Sequence, residues 1–369
     1  MIDRVRTVAS LSLVACLPGG ASARRVPSSV SAPASAFGYT RERVADGIYT
    51  FVANEAYGAV VSGNSTLIIG DSAALVVDTG NFPDLTSHMI DEVRTLTNGK
   101  PVRYVVNTHW HPDHWLGNAA YLRAYPGLTI VGTEFTRTEI RTRGPQFLAQ
   151  YKDTALVFGQ LRKLSAPPAT KDTSVAQSDA RAYYAASLPD FIAGAPGWAN
   201  ATIAAPTLTF DRALHVQLGN RDVDVRFLGR GNTSGDAIVF DSKTRTLITG
   251  DLVVAPIPYA FSSFFPEWIT VLDELRTMSP AVIVPGHGAI QHDFSYIHRL
   301  SALLSFVSDA AADAARHGKS LGEFRAALDL SPFEKQFAGD DPRLHVLFRL
   351  DWTVAATKRA YDEAKVYVE

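Results

Sequence analysis

The stretch Thr108-His109-Trp110-His111-Pro112-Asp113-His114-Trp115-Leu116-Gly117-Asn118 decides the reading of this chain. His109, His111, Asp113 and His114 place four metal-competent side chains within six positions, directly after the apolar run Val102 to Val106. That run reads as a strand, and its end fixes where His109 begins. A continued strand would send successive side chains to opposite faces, whereas a tight turn through Pro112 lets the four converge. A lone histidine in a globular chain is usually a satisfied polar residue. Three histidines and an aspartate packed this tightly have no structural reason to gather on a loop, and they point to a metal site.

Outward from this cluster, the same arrangement recurs. Leu75-Val76-Val77 precedes Asp78, Leu247-Ile248-Thr249 precedes Asp251, and Val282-Ile283-Val284 precedes His287. Ligands carried at strand ends are held rigidly, as a catalytic site requires. Each has a plainer reading: Asp78-Thr79-Gly80 and Gly250-Asp251 as turns, Pro285-Gly286-His287-Gly288 as a loop with an incidental histidine. Jointly, and in this order, they read as parts of one site.

Composition limits what the site belongs to. With 369 residues, 46% hydrophobic and 20% charged, the chain can bury a full core in one large or two ordinary domains. A formal net charge of -2 gives no general attraction to nucleic acid or anionic membrane, which leaves a small molecule as the expected partner. Arg4 and Arg6, the apolar run Val8 to Leu17 and the small residues Ala21-Ser22-Ala23 read as a signal peptide over 1–23, too short to span a bilayer. Leu13-Val14-Ala15-Cys16 also resembles a lipobox, so a membrane anchor through Cys16 stands as the alternative to a free exported, periplasmic or secreted protein. Cys16 is the only cysteine, and the metal chemistry must therefore rest on His and carboxylates.

Residues 24–36, rich in Ser, Pro and Ala, read as a flexible lead-in. Short β-type runs at Ile48 to Val52, Ala59 to Ser62, Thr66 to Ile69 and Ala74 to Val77 suggest an antiparallel meander. Helical spacing follows over Thr86 to Thr97, then again after the cluster and over Glu134 to Leu164. Residues 165–206 read as an insertion interrupted by Pro189, Gly194, Pro196 and Gly197, either a lid or a cover over apolar surface. Strands return at Thr207 to Phe210, Leu214 to Leu218, Val223 to Leu228, Ala237 to Phe240 and Thr246 to Thr249. Helical spacing over Glu267 to Met278 precedes a buried strand at Ala281 to Val284. A C-terminal helical extension over 291–369, packed on the 37–290 domain, rests on the spacing at Tyr296 to Ala315 and Arg343 to Lys365.

The pieces Val77-Asp78-Thr79-Gly80, His109-Trp110-His111-Pro112-Asp113-His114, Gly250-Asp251 and Pro285-Gly286-His287-Gly288 resemble the metallo-β-lactamase fold superfamily, from roughly Phe37 to Gly288. The resemblance implies an α/β fold, a four-layer αβ/βα sandwich with the metal site at one edge. It further implies that His109 and His111 bind a first zinc, that Asp113, His114 and His287 bind a second, and that Asp251 bridges them. Asp78 would orient the cluster from behind. One position departs from the family pattern. Gly231-Asn232-Thr233-Ser234-Gly235-Asp236 puts Asn232 where the family carries a third histidine, and a neutral amide oxygen is a weaker zinc donor than imidazole. One or two Zn²⁺ per chain are therefore both open, and Asn232 reads as a weak ligand, a substrate contact or a filler.

The chemistry implied is an exported zinc-dependent metallohydrolase. A metal-bound hydroxide, available because zinc lowers the pKa of its water to about 7, attacks a small ester, thioester, lactone or β-lactam-type carbonyl. Asp113 is the candidate catalytic residue, orienting the nucleophile. Tyr57, Trp110, Trp115, Tyr259 and Phe261 form either an aromatic pocket wall or ordinary core. Two other readings are retained: an iron oxidoreductase of the same fold, since imidazole and carboxylate also suit iron, and a metal-binding protein impaired through Asn232.

Overall fold

The computed structural model describes residues 38–54, 62–166 and 175–366. The signal-peptide, lead-in and Cys16 readings, Tyr57 and all but Ser62 of the Ala59 to Ser62 run lie outside these residues. Strands β1 (Tyr39–Ala45), β2 (Ile48–Ala53), β3 (Ser65–Ile69) and β4 (Ala74–Val77) form the antiparallel meander. Helix α1 (Pro83–Thr97) crosses to β5 (Val102–Val106), parallel to β4. The short α2 (Pro112–Trp115) and α3 (Asn118–Ala124) lead to β6 (Thr129–Thr133), and the helices α4 (Glu134–Lys152), α5 (Thr154–Ser165) and α6 (Val175–Trp198) lead to β7 (Leu208–Phe210). These seven strands make one sheet in sequential order.

The second sheet holds β8 (Ala213–Gln217), β9 (Asp222–Phe227), β10 (Ala237–Asp241), β11 (Thr246–Val254) and, after α7 (Phe265–Thr277), β12 (Val282–His287). Its order is β12-β11-β10-β9-β8, with β11 and β12 parallel. The chain ends in α8 (Ser295–Arg316), α9 (Leu321–Ala327), α10 (Ser331–Ala338), α11 (Pro342–Phe348), a π-helical turn (Arg349–Ala356) and α12 (Thr357–Val366).

Period-two alternation places the layers. Leu75 and Val77 on β4, Val106 on β5, and Ala237 and Val239 on β10 meet in the core between the sheets, joined by Val223, Val225, Ile248 and Val284. Their neighbours Val76 and Val105 face the other way, onto Met89, Ile90 and Val93 of α1. On the far side, Ile238 and Leu247 pack against α7 and α8, where Leu300, Leu303, Leu304, Val307 and Ala311 keep helical spacing on one face. Helix, sheet, sheet, helix is the sandwich that the resemblance implies.

Several elements differ from the sequence-based expectation. Helix α1 begins three residues earlier than the spacing at Thr86 suggests, because Pro83 suits the first helical position, where its missing N–H is not needed. Asn98 closes the helix in a left-handed conformation, as the Asn98-Gly99 signal implies. Helix α6 runs through both Pro189 and Pro196, where the sequence suggested an interrupted insertion. Packing supplies what the backbone loses there: Tyr184, Ala195 and Trp198 join Phe147 of α4 and Leu161 of α5 in one cluster. Strand β11 continues past Thr249 to Val254, so Asp251 lies inside a strand and not beyond its end. The C-terminal extension contains α9 and α10, whose short amphipathic runs were not read from the sequence.

Leu75 is fully buried between the sheets. Leu75→Ala is expected to destabilise the fold by about 2–5 kcal/mol, read as a lower urea midpoint at unchanged slope. A midpoint shift worth less than about 1 kcal/mol would contradict this placement of the core.

Candidate metal centre

The cluster sits where β4, β5, β11 and β12 end or bend at one edge of the sandwich. Asp78 follows β4 with φ 56, a left-handed conformation that carboxamide and carboxylate side chains tolerate better than most. Its Oδ1 accepts the Thr108 N–H at 2.8 Å and its Oδ2 accepts the Thr108 hydroxyl at 2.7 Å. Since the Thr108 hydroxyl gives its hydrogen to Asp78, it accepts from His109 Nδ1, 3.0 Å away, which leaves His109 Nε2 with its lone pair. Asp78 Oδ2 also faces His114 Nδ1 at 2.8 Å and turns His114 Nε2 inward in the same way. One carboxylate thus fixes the tautomer and direction of two imidazoles.

The inward atoms form two groups. His114 Nε2 lies 3.2 Å from His287 Nε2 and 3.4 Å from Asp113 Oδ2, and His287 Nε2 lies 3.1 Å from Asp113 Oδ2. Asp251 Oδ1 is 3.2 Å from His114 Nε2 and 3.4 Å from His287 Nε2. A tetrahedron around zinc with bonds of about 2.0–2.1 Å has edges of about 3.3–3.4 Å, and these five separations match it. In the other group His109 Nε2 lies 2.9 Å from His111 Nδ1, and Asp251 Oδ2 lies 3.3 Å from the first and 3.7 Å from the second. Asp251 therefore gives one oxygen to each group. All six side chains are buried.

Local backbone makes the convergence possible. Gly250 adopts φ 52, where the parallel pairing of β11 with β12 shifts register, and this kink turns Asp251 toward the edge. A Cβ on Gly286 would lie 2.1 Å from Asp251 Oδ1, so β12 can pass the carboxylate only as glycine.

The donor chemistry fits divalent metal ions. Asn232 Oδ1 is buried with no hydrogen-bond partner among the described residues, while Asp251 Oδ1 faces the ring nitrogens of His114 and His287. Unpaired buried oxygens are costly unless a cation meets them. Asn232 Nδ2 donates to Tyr259 O at 3.0 Å, which orients the amide so that its oxygen is the unspent atom. The loop bearing Asn232 is held by Asp236, which accepts the Gly231 and Thr233 N–H groups at 3.2 and 2.7 Å.

Charge is unevenly distributed over the six. Burial, and then the neighbouring His109, push His111 down to about 4, so it is neutral and ready to donate a lone pair at pH 7. For His287, burial works against the charged form, but the Asp251 and Asp113 carboxylates prevail and raise it to about 9. His114 is raised well above its ordinary value for the same reason, with Asp78 contributing. Although burial alone would raise them, Asp113 and Asp251 are driven below the usual carboxylate range by the imidazoles around them.

The aromatic residues named from the sequence separate. Phe261, 41% exposed, lies 5.4 Å from the His111 ring, and Tyr259 lies 5.7 Å from His287. Trp110 contacts His111 at 4.7 Å and carries the Arg143 guanidinium at 4.8 Å from its ring centre. Trp115 does not line a pocket surface. It is fully buried, with its indole N–H donated to Trp110 O at 2.7 Å, because it anchors the turn that carries His111 to His114. Sequence reading quoted Asp236 and Gly286 only as members of their runs and passed over Arg143, whose place on the Trp110 ring depends on tertiary packing.

Residues 58–287 match the family model described as Metallo-beta-lactamase superfamily. A linear primary-alkylsulfatase from Pseudomonas sp. (strain ATCC 19151) is 27% identical over 240 residues, 60% of this chain and 40% of that protein. The chain thus spans less than half the length of this curated relative. Among solved structures, a metallo-beta-lactamase from Pontibacter korlensis aligns with TM-score 0.51 and 18% identity, covering 72% of this chain and 99% of the other. The DIM-1 metallo-beta-lactamase aligns with TM-score 0.50 and 17% identity, covering 73% of this chain and 97% of the other. At such identities the two structures share its fold.

Because the Asp251 and Asp113 carboxylates raise His287 to about 9 and raise His114 well above its ordinary value, a metal ion must compete with protons there. Zinc affinity is therefore expected to rise with pH from 6 up to the His287 value of about 9, and calorimetry at pH 7 in buffers of differing ionisation enthalpy should show about one or more protons released. Affinity independent of pH over this range would contradict the assignment of these imidazoles as ligands.

Proposed function

This chain belongs to the metallo-β-lactamase superfamily, and on that premise we propose that it is an exported zinc-dependent hydrolase of small esters or related acyl compounds. The observation that carries the reading is Asp251, one carboxylate with an oxygen in each of two converging ligand groups. His109, His111 and the Asn232 amide oxygen would hold one ion, and Asp113, His114 and His287 a second. Sets made only of imidazole and carboxylate or amide oxygen suit zinc without requiring thiolate. Zinc held there supplies Lewis acidity to a substrate oxygen and brings the pKa of water to about 7.

The residues of the chain do the rest. Asp78, through Thr108 and directly, keeps His109 and His114 in the tautomer that presents Nε2 inward. Asp113 stays ionised next to His114 and His287, and its fixed charge orients the attacking group and the substrate. Burial of all six side chains excludes bulk water and strengthens each of these interactions. Phe261 and Trp110 beside His111 offer an apolar surface to the non-reacting part of the substrate. That surface and the likeness to a linear primary-alkylsulfatase favour, as a second reading, a sulfate ester of an apolar alcohol, which water would cleave to the alcohol and sulfate. Export is the reading of residues 1–23, with the Cys16 lipid anchor as its alternative.

Three outcomes test the proposal. Protein loaded with zinc should hydrolyse a nitrophenyl ester or an alkyl sulfate, lose that activity to a chelator and regain it with added zinc. Asp113→Ala should lower kcat/KM by about a thousandfold, on the order of 4 kcal/mol of lost transition-state stabilisation. An unchanged rate would remove Asp113 from the reaction. Asn232→His should tighten binding of the more weakly held ion, measured by chelator competition, because imidazole replaces an amide oxygen; equal affinities would place Asn232 outside the ligand set.

A further inference from the structure

Helix α4 brings a permanent positive charge to the turn that bears the ligands. Arg143 and Phe147 stand one helical turn apart on α4, and both press on Trp110. The guanidinium carbon lies 4.8 Å and the Phe147 ring 5.8 Å from the indole. Gly144 beside Arg143 lets the helix come this close, since a Cβ there would lie 3.2 Å from the Trp115 ring. Trp110 in turn meets the His111 ring edge-on at 4.7 Å. Two such steps are the most that can separate the Arg143 guanidinium from the His111 imidazole. Phe261 flanks the same imidazole at 5.4 Å, so the cation stands next to an apolar surface.

The guanidinium is held in place without being used up. Trp110 carries its charge on the ring, a contact that the aromatic quadrupole favours. Glu139, one turn earlier on α4, approaches Nε at 2.6 Å as an i,i+4 ion pair. Neither Nη group donates a hydrogen bond among the described residues, and 48% of the side chain is exposed, so the outer fork remains open to solvent. A planar fork set in this way loses little freedom when it meets a carboxylate, which it can grip through two parallel N–H···O bonds.

We propose that Arg143 is a specificity residue that grips a carboxylate at the far end of the substrate, so that the site selects esters carrying a second, anionic group over neutral ones. The assignment rests on the hydrolytic reading of the same site, which puts the scissile ester at the ligand groups and the apolar stem along Phe261 and Trp110. Arg143 touches no reacting atom and moves no proton. Its contact is the same in the ground state and the transition state, so its loss raises KM for anionic substrates and leaves kcat nearly unchanged.

The test compares zinc-loaded parent with Arg143→Met, which keeps a long apolar stem on Trp110 and removes the charge. Calorimetry measures binding of suberic acid monohydroxamate, whose hydroxamate chelates zinc and whose carboxylate stays free, and of its uncharged methyl ester. Turnover of mono-4-nitrophenyl suberate and of its methyl ester is followed alongside. The parent is expected to bind the acid about tenfold more tightly than the ester, and to show a KM for the anionic substrate lower by a similar factor. In Arg143→Met, both preferences should fall to within about twofold of unity while the neutral compounds behave as with the parent. The same result is expected with Glu139→Gln added, which removes the carboxylate left unpaired. A parent without the preference, or a variant that keeps it, overturns the proposal. Equal weakening of acid and ester would make Arg143 a packing residue of Trp110 and overturn it as well. If the parent turns over neither substrate, the hydrolytic reading fails, while the hydroxamate pair still decides the role of Arg143.

Discussion

The rest of the site depends on burying the Asp251 carboxylate among four imidazoles. A carboxylate with 1% exposure is tolerable only where positive charge or hydrogen-bond donors meet it. His114 and His287 meet Oδ1 and His109 and His111 face Oδ2, so the demands of one residue define two ligand groups. Protons on His114 and His287 answer that demand in the metal-free chain, and divalent ions answer it when present. Competition between the two links the electrostatics of the fold to its metal chemistry.

This constraint accounts for features that otherwise look like defects in the sheets. A strand that runs through its ligand, kinks at Gly250 and slips register against its neighbour would be an odd feature of an ordinary core sheet. Here the kink delivers Asp251, and Gly286 leaves the space into which the carboxylate fits. The outer support is equally specific. Asp78 reaches two imidazoles through three contacts, and Trp115 is buried so that the turn above it cannot shift. The Asn232 amide gives its Nδ2 hydrogen to the Tyr259 carbonyl and keeps a buried oxygen without a hydrogen-bond partner among the described residues.

Much of this was legible in the chain because the ligands are encoded locally. The His109 to His114 cluster lies within one turn after a strand, and Asp78 and His287 each follow or end a short β-branched run. The inter-sheet core was less so, since Leu75-Val76-Val77 is apolar throughout and only the folded sheets turn Leu75 and Val77 to the other sheet and Val76 to α1. What was not legible depends on contacts distant in sequence. Arg143 and Trp110 meet only when α4 folds over the turn that bears the ligands. Helix α6 keeps two prolines because Trp198 and Tyr184 are buried against other helices, a tertiary gain that local propensity does not contain. Trp115 and Phe261 were indistinguishable as aromatic residues near the motif, yet one is fully buried and the other 41% exposed.

The central claim is that two ions share Asp251. Anomalous diffraction from zinc-soaked crystals at the zinc absorption edge tests it directly. The account predicts two peaks about 3.5–4 Å apart, one within bonding distance of Asp251 Oδ2, His109 and His111 and the other of Asp251 Oδ1, Asp113, His114 and His287. A single peak, or a pair that leaves Asp251 uncoordinated, would contradict it.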